Sequence, residues 1–221
     1  MILKLRSFWI STAFASLLVF AAPLRAQSSV ELEPFIGYYR PMGSFAPASV
    51  YSTSLPSKPS DLSGVAWGVE ARSWISERLG VQLQAAVANS TMPEVATPGF
   101  SRGGPSSAQV LIVTAQALYD LSPSPEGFRR VWLSAGPALI RYGGDAYSQS
   151  GAGAQLSVGA ALGAGLNIPI GARLSATAGV QVLLYQLDIG FPTSLSGNPG
   201  RFESGFQDDL LLHLGLAWRW R

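Results

Sequence analysis

The chain has 221 residues with no cysteine and one histidine, and charged residues make up 13% of it against 48% hydrophobic ones and 24 glycines. Without cysteine there is neither a disulfide framework nor a lipidated N-terminus, and one histidine beside scattered carboxylates is a poor start for a metal site. Few charges with many glycines is a poor composition for a soluble α/β enzyme and suits a sheet with one apolar face and closely approaching backbones.

The first element is a leader. Lys4 and Arg6 make a positive start, residues 8–22 are an apolar run, Pro23 breaks it, and Ala26 offers the small residue required before a cleavage point. The run is shorter than the ~18 residues of a spanning helix, so a cleaved signal peptide over residues 1–26 is expected, cut between Ala26 and Gln27. Its loss removes three of the 15 basic residues and none of the 13 acidic ones, which leaves a mature charge of −1. A chain so balanced gives no support to a nucleic-acid partner, which asks for a basic stripe.

From Val30 onward the hydrophobic period is two, the period of strands. Eight segments carry it: 30–38, 65–75, 79–87, 111–119, 131–139, 156–168, 174–184 and 210–220. The last is the clearest. Leu210, Leu212, Leu214, Leu216, Trp218 and Trp220 share one face, and Leu211, His213, Gly215, Ala217 and Arg219 share the other. Across all eight, the greasy face carries no charge before Arg40 and Arg141 at strand ends. A charge facing lipid at mid-depth costs about 2–4 kcal/mol, so this absence is the signature of a lipid-facing surface. The connections 41–64, 89–107, 142–155 and 188–209 are long, and 76–78, 120–130 and 169–172 are shorter. That alternation fits a barrel with long loops outside and short turns in the periplasm, both termini periplasmic. The expected fold is therefore all-β: a closed antiparallel up-and-down transmembrane β-barrel of eight strands, filling residues 27–221.

Two rival architectures are weaker. Gly159-x-x-x-Gly163 could mark paired transmembrane helices, but the surrounding apolar residues fall on alternate positions, which helices do not demand. A soluble eight-stranded barrel needs a polar exterior, and Gly159, Ala161, Gly163 and Gly165 make a poor solvated surface but a natural packed lumen.

On this patterning the mature chain resembles the small outer-membrane β-barrel family of the OmpA/OmpX-like kind. The resemblance is most specific in the last strand, where Leu210, Leu212, Leu214, Leu216, Trp218 and Trp220 look like the alternating, aromatic-closed signal that the outer-membrane assembly machinery reads; Arg221 departs from it by following the aromatic. The resemblance implies a bacterial outer-membrane location, with membrane lipid, lipopolysaccharide and that machinery as partners and the monomer as the working form.

Function is less legible. A barrel enzyme acting on lipid A needs a nucleophile and base within reach, and His213 is the lone histidine, flanked on its own face by Leu211 and Gly215. It reads as a polar filler of the lumen. No cofactor, catalytic or metal site is expected. The glycines alternate within strands, so no phosphate-binding loop is present. Eight strands enclose a space that side chains just fill, and Gln82, Gln84, Gln116, Asn167 and Gln181 would fill it. The expectation is a non-enzymatic envelope or surface-interaction barrel, with a narrow channel for small solutes or apolar ligands and a lipid A-modifying enzyme as alternatives. Aromatics should form two girdles, with Tyr38, Trp67 and Tyr142 at the outer rim and Tyr119, Trp218 and Trp220 at the periplasmic one. The inward phase also places Glu31, Glu33, Arg72, Arg173 and Arg219 toward the periplasmic half, where they should form an ion-pair network in the lumen with Glu70 as a sixth member farther up.

Overall fold

The computed structural model describes residues 30–42, 63–92, 96–97, 100–101, 106–121, 129–144, 155–190 and 202–220. The expected leader, its Ala26–Gln27 cleavage point and Arg221 lie outside them. Eight strands form the body: β1 (Val30–Pro41), β2 (Gly64–Trp74), β3 (Leu79–Met92), β4 (Ser106–Asp120), β5 (Arg130–Gly143), β6 (Gln155–Pro169), β7 (Leu174–Gly190) and β8 (Phe202–Trp220). Each pairs antiparallel with its chain neighbours, and β8 returns to β1 to close the barrel. A two-residue ribbon, Ala96–Thr97 with Phe100–Ser101, sits in the connection between β3 and β4. Among the described residues there is no helix; the Gly159-x-x-x-Gly163 stretch is part of β6.

The alternation of the sequence becomes the wall of the barrel. In β1 exposed and buried residues alternate, with Ile36 and Tyr38 outside and Glu31, Glu33, Phe35 and Tyr39 inside. Ile36, Val65, Trp67, Leu156, Val158 and Leu214 are all more than half exposed. A continuous apolar exterior of this kind is a surface made for lipid rather than water. From Val30 to Tyr38 it spans nine residues, or ~27 Å along the strand, which a tilt of about 35–45° reduces to ~19–22 Å, most of the ~25 Å apolar band of such barrels. The tight connections 75–78 and 170–173, the strand ends at Asp120 and Arg130, and both ends of the described chain lie at one rim. The strand ends that lead into the longer connections lie at the other.

The small residues of the inward face are seats for large ones. A Cβ on Gly179 would lie 2.3 Å from the His213 ring, and one on Gly215 would lie 2.4 Å from a Glu33 oxygen. Each glycine gives up its own side-chain volume to a neighbour across the ladder. The ladder has two interruptions, and both fall at a proline. Register runs from Leu32↔Trp218 to Phe35↔Gly215 past Pro34, and from Thr114↔Ala138 to Ala117↔Ala135 past Pro137. Proline has no N–H to give to the neighbouring strand.

Several strands run past their expected ends at the long-loop rim. β3 reaches Met92, β4 starts at Ser106, β5 continues to Gly143, β7 to Gly190, and β8 begins at Phe202. There most outward residues turn polar, Phe206 on β8 excepted, while the hydrogen-bond ladder continues. Asn89 and Gln109, opposite each other on the outside, are joined at 3.2 Å from Gln109 Nε2 to Asn89 Oδ1. Hydrophobic alternation marks where lipid stops, whereas strand pairing does not stop with it.

Candidate functional site: the lumen and its two rims

The end of the lumen beside the tight turns is ionic. Alternation puts Glu31 and Glu33 on one face of β1, and register sets Glu31 opposite Arg72 on β2 and Arg219 on β8, with Glu33 opposite Glu70. Arg72 is 2% exposed. It meets Glu31 at 3.4 Å, Glu33 at 3.1 Å and Glu70 in close contact, and its guanidinium lies 4.1 Å over the Trp132 ring. Arg219 donates to Glu31 Oε1 from Nε at 3.0 Å and from Nη2 at 2.8 Å. The Thr177 hydroxyl donates to Glu33, and Gln84 Nε2 donates to Glu70 at 3.4 Å. Two like charges facing each other across a ladder repel. Here one arginine bridges Glu33 and Glu70, and its hydrogen bonds occupy the lone pairs that burial would otherwise strand. A second pair stands at the rim nearby: half-buried Arg130 meets the buried Asp120 from Nε to Oδ2 at 2.7 Å, and its guanidinium lies 4.1 Å over Trp74.

The middle of the lumen is polar and uncharged apart from its border with Glu70. Gln82 donates to Gln116 at 3.1 Å. The His213 ring lies 4.8 Å from Phe35, centroid to centroid, and its Nε2 is 3.9 Å from Glu70 Oε2. A cavity of about 10 Å³ opens among Glu70, Gln82, Gln116, Ser134, Gln181 and His213, room for about one water. Above it comes an apolar layer that includes Phe35, Ile112, Ile140, Leu183 and Leu211.

At the long-loop end three tyrosines converge on one carboxylate. Tyr39 and Tyr185 donate to Asp209 Oδ2 at close range, and Tyr142 donates to the same oxygen at 3.2 Å. The tyrosine hydroxyls also meet one another, with Tyr39 and Tyr142 at 3.1 Å. All four residues are buried to 2% exposure or less.

Of the six residues expected in the lumen network, the structure brings together Glu31, Glu33, Glu70, Arg72 and Arg219. Arg173 stands apart. It is exposed in the turn before β7 and meets the others through its carbonyl, which accepts Arg219 N–H at 2.8 Å. The turn ends the ladder before that side chain can be folded inward. The girdle also needs one correction. Tyr38, Trp67, Tyr119, Trp218 and Trp220 are exposed on the outer face, but Tyr142 is 1% exposed inside the lumen. β5 continues unbroken past Leu139, so position 142 keeps the inward parity of Ala138 and Ile140. Trp67 lies opposite Ile36 and Trp218 opposite Leu32, four residues apart along β1. The outward residues of β8 expected to form the assembly signal, Leu210, Leu212, Leu214, Leu216, Trp218 and Trp220, share the exterior face. The sequence reading missed the tyrosine–aspartate cluster and the Asp120–Arg130 pair. A continued inward parity beyond the apolar run is the signal that would have found both.

The barrel is the fold of the small eight-stranded outer-membrane β-barrels. Neisserial surface protein A is similar over 88% of this chain and 100% of its own, with a TM-score of 0.55 and 14% identity. The outer membrane protein OprG from Pseudomonas aeruginosa is similar over 89% of this chain and 97% of its own, with a TM-score of 0.58 and 13% identity. Ail, the attachment invasion locus protein of Yersinia pestis, solved in complex with the heparin analogue sucrose octasulfate, is similar over 88% and 100%, at 0.50 and 11%. No protein-family model matches the chain, and no curated protein matches it in sequence.

Proposed function

We propose that the protein is a non-catalytic, non-conducting barrel of a bacterial outer membrane, working as a monomer in an envelope-structural or surface-interaction role. In this reading the tight turns and both termini face the periplasm, the long connections face the cell surface, the apolar wall contacts membrane lipid and lipopolysaccharide, and the outward face of β8 is read by the assembly machinery. The observation that carries it is a lumen obstructed at both ends. The Arg72 cluster crosses it at the tight-turn end and the Tyr39–Tyr142–Tyr185–Asp209 cluster at the other, with an apolar layer between. Eight strands leave only enough room for side chains in any case. The names of the structural neighbours, a surface protein and an attachment protein, agree with a role carried by the exterior rather than by a pore.

Catalysis in the lumen cavity is disfavoured on space. Ser134, His213 and Glu70 line one cavity and are residue types used in acyl transfer, but room for one water admits no acyl chain. Single-channel recording in planar bilayers tests the reading: the folded protein is expected to give no stable conductance steps, and reproducible steps would overturn it in favour of a narrow channel. Mass spectrometry of lipid A from cells with and without the protein should be identical. A new or missing acyl chain would overturn the non-catalytic assignment.

A further inference from the structure

The tight-turn rim repeats a pattern that the lumen does not explain. Ile75-Ser76-Glu77-Arg78-Leu79 and Ile170-Gly171-Ala172-Arg173-Leu174 share the form Ile-x-x-Arg-Leu. The two turns are closed by the same bonds. Ile75 N and Ser76 N donate to Leu79 O at 2.8 and 3.0 Å, and Ile170 N and Gly171 N donate to Leu174 O at 2.9 and 3.0 Å. The third connection pairs Leu121 at its start with Arg129 at its end. Ile75, Leu121 and Ile170 are exposed, and so are Arg78, Arg129 and Arg173. Among the described residues, each connection at this rim therefore presents an exposed apolar side chain and an exposed guanidinium. They recur at every second strand, so they are distributed around the barrel rather than gathered in one patch.

We propose that this rim is a collar for anionic phospholipid headgroups, in which each turn sets its apolar residue at the acyl boundary and its arginine on a lipid phosphate. The inference rests on the membrane placement above and names the lipid that the periplasmic leaflet would hold there. Charge complementarity selects the partner. Three exposed arginines face one exposed carboxylate, Glu77, among the described residues of the rim. Arginine's planar fork matches phosphate oxygens in pairs, and a cation beside an anionic bilayer gains attraction within a Debye length. Depth agrees too. Arg78 Nη1 donates to the hydroxyl of Tyr119 at 3.2 Å on the outer face, and a tyrosine ring of this kind anchors at headgroup level.

The test uses the folded full-length barrel in nanodiscs of phosphatidylcholine with one-fifth phosphatidylglycerol. The lipids that remain bound are counted by native mass spectrometry. The wild type should retain phosphatidylglycerol over phosphatidylcholine by roughly fivefold relative to the bulk mixture, and 0.5 M salt should erase most of that preference. Arg78→Gln with Arg129→Gln and Arg173→Gln should bring retention to the bulk ratio while the barrel stays folded by circular dichroism and by its heat-dependent gel shift. Equal retention of both lipids by the wild type, or unchanged preference in the triple variant, overturns the collar and leaves the membrane placement standing. Failure of the wild type to insert at all, read from quenching of its exterior tryptophans by brominated acyl chains, overturns both.

Discussion

The two ends of the lumen solve the same problem with different chemistry. At the tight-turn end a buried arginine is shared by three carboxylates. At the long-loop end a buried carboxylate is shared by three tyrosine hydroxyls, and among the described residues no arginine or lysine joins it. The first depends on charge pairing, in which the loss of one partner strands the others in a medium that solvates them poorly. The second depends on neutral donors, so the loss of one leaves two. A plug made of counter-charges should therefore be brittle, and a plug made of hydroxyls should fail gradually.

Arg72→Met gives the largest expected effect. It leaves Glu33 and Glu70 facing each other without a bridge and should destabilise the barrel by about 3–5 kcal/mol, read as a lowered urea midpoint in lipid vesicles. A midpoint within error of wild type would mean the cluster is hydrated rather than buried, and the contrast between the two ends would collapse. Tyr185→Phe should cost less, about 1.5–3 kcal/mol for a lost hydrogen bond to a charged group. Adding Tyr39→Phe should produce a further, similar step rather than collapse. A first substitution as damaging as Arg72→Met would show that the tyrosine end is as brittle as the ionic one.

Gly215→Ala probes the ionic end without touching a charge. The new methyl would overlap the Glu33 carboxylate and should cost about 1–3 kcal/mol as overpacking, with Glu33→Ala in the same chain removing part of that penalty. Arg219→Gln should be the mildest. Its side chain is 35% exposed, and a wetted ion pair is worth about 0–1 kcal/mol. A larger loss would place Arg219 inside the buried cluster with Arg72.

The same contrast separates what the sequence made legible from what it hid. Glu31, Glu33, Glu70 and Arg72 lie within the alternating runs of strands whose neighbouring outward residues are mostly apolar, so parity alone assigns them to the lumen. Tyr39, Tyr185 and Asp209 each lie one residue past an apolar run, and Tyr142 lies three past one. There the outer face has left lipid, the alternation fades, and a reader of hydrophobicity sees a loop. Asp120 and Arg130 were lost for the same reason at the other rim. Arg173 failed in the opposite direction, because parity was extended by one residue into a turn where no ladder holds it. The eight strands, their order and the closing pair follow from period two and connection length, which act over many residues. Turn geometry acts over three or four and is set by local bonds that composition does not reveal.

The hairpin of β7 and β8 stands taller than the wall it leaves. β6 pairs with β7 only as far as Tyr185, and β1 pairs with β8 only as far as Asp209, yet the two strands remain zipped to each other up to Gly190 and Phe202. Five residues beyond Tyr185 amount to ~17 Å of ribbon, held at its foot and, among the described residues, by no other strand on either side. Such a ribbon is a cantilever, and the buried tyrosines and Asp209 are the masonry at its root. A pull on the tip is carried as torque to that root, where three hydroxyls on a single carboxylate must hold it.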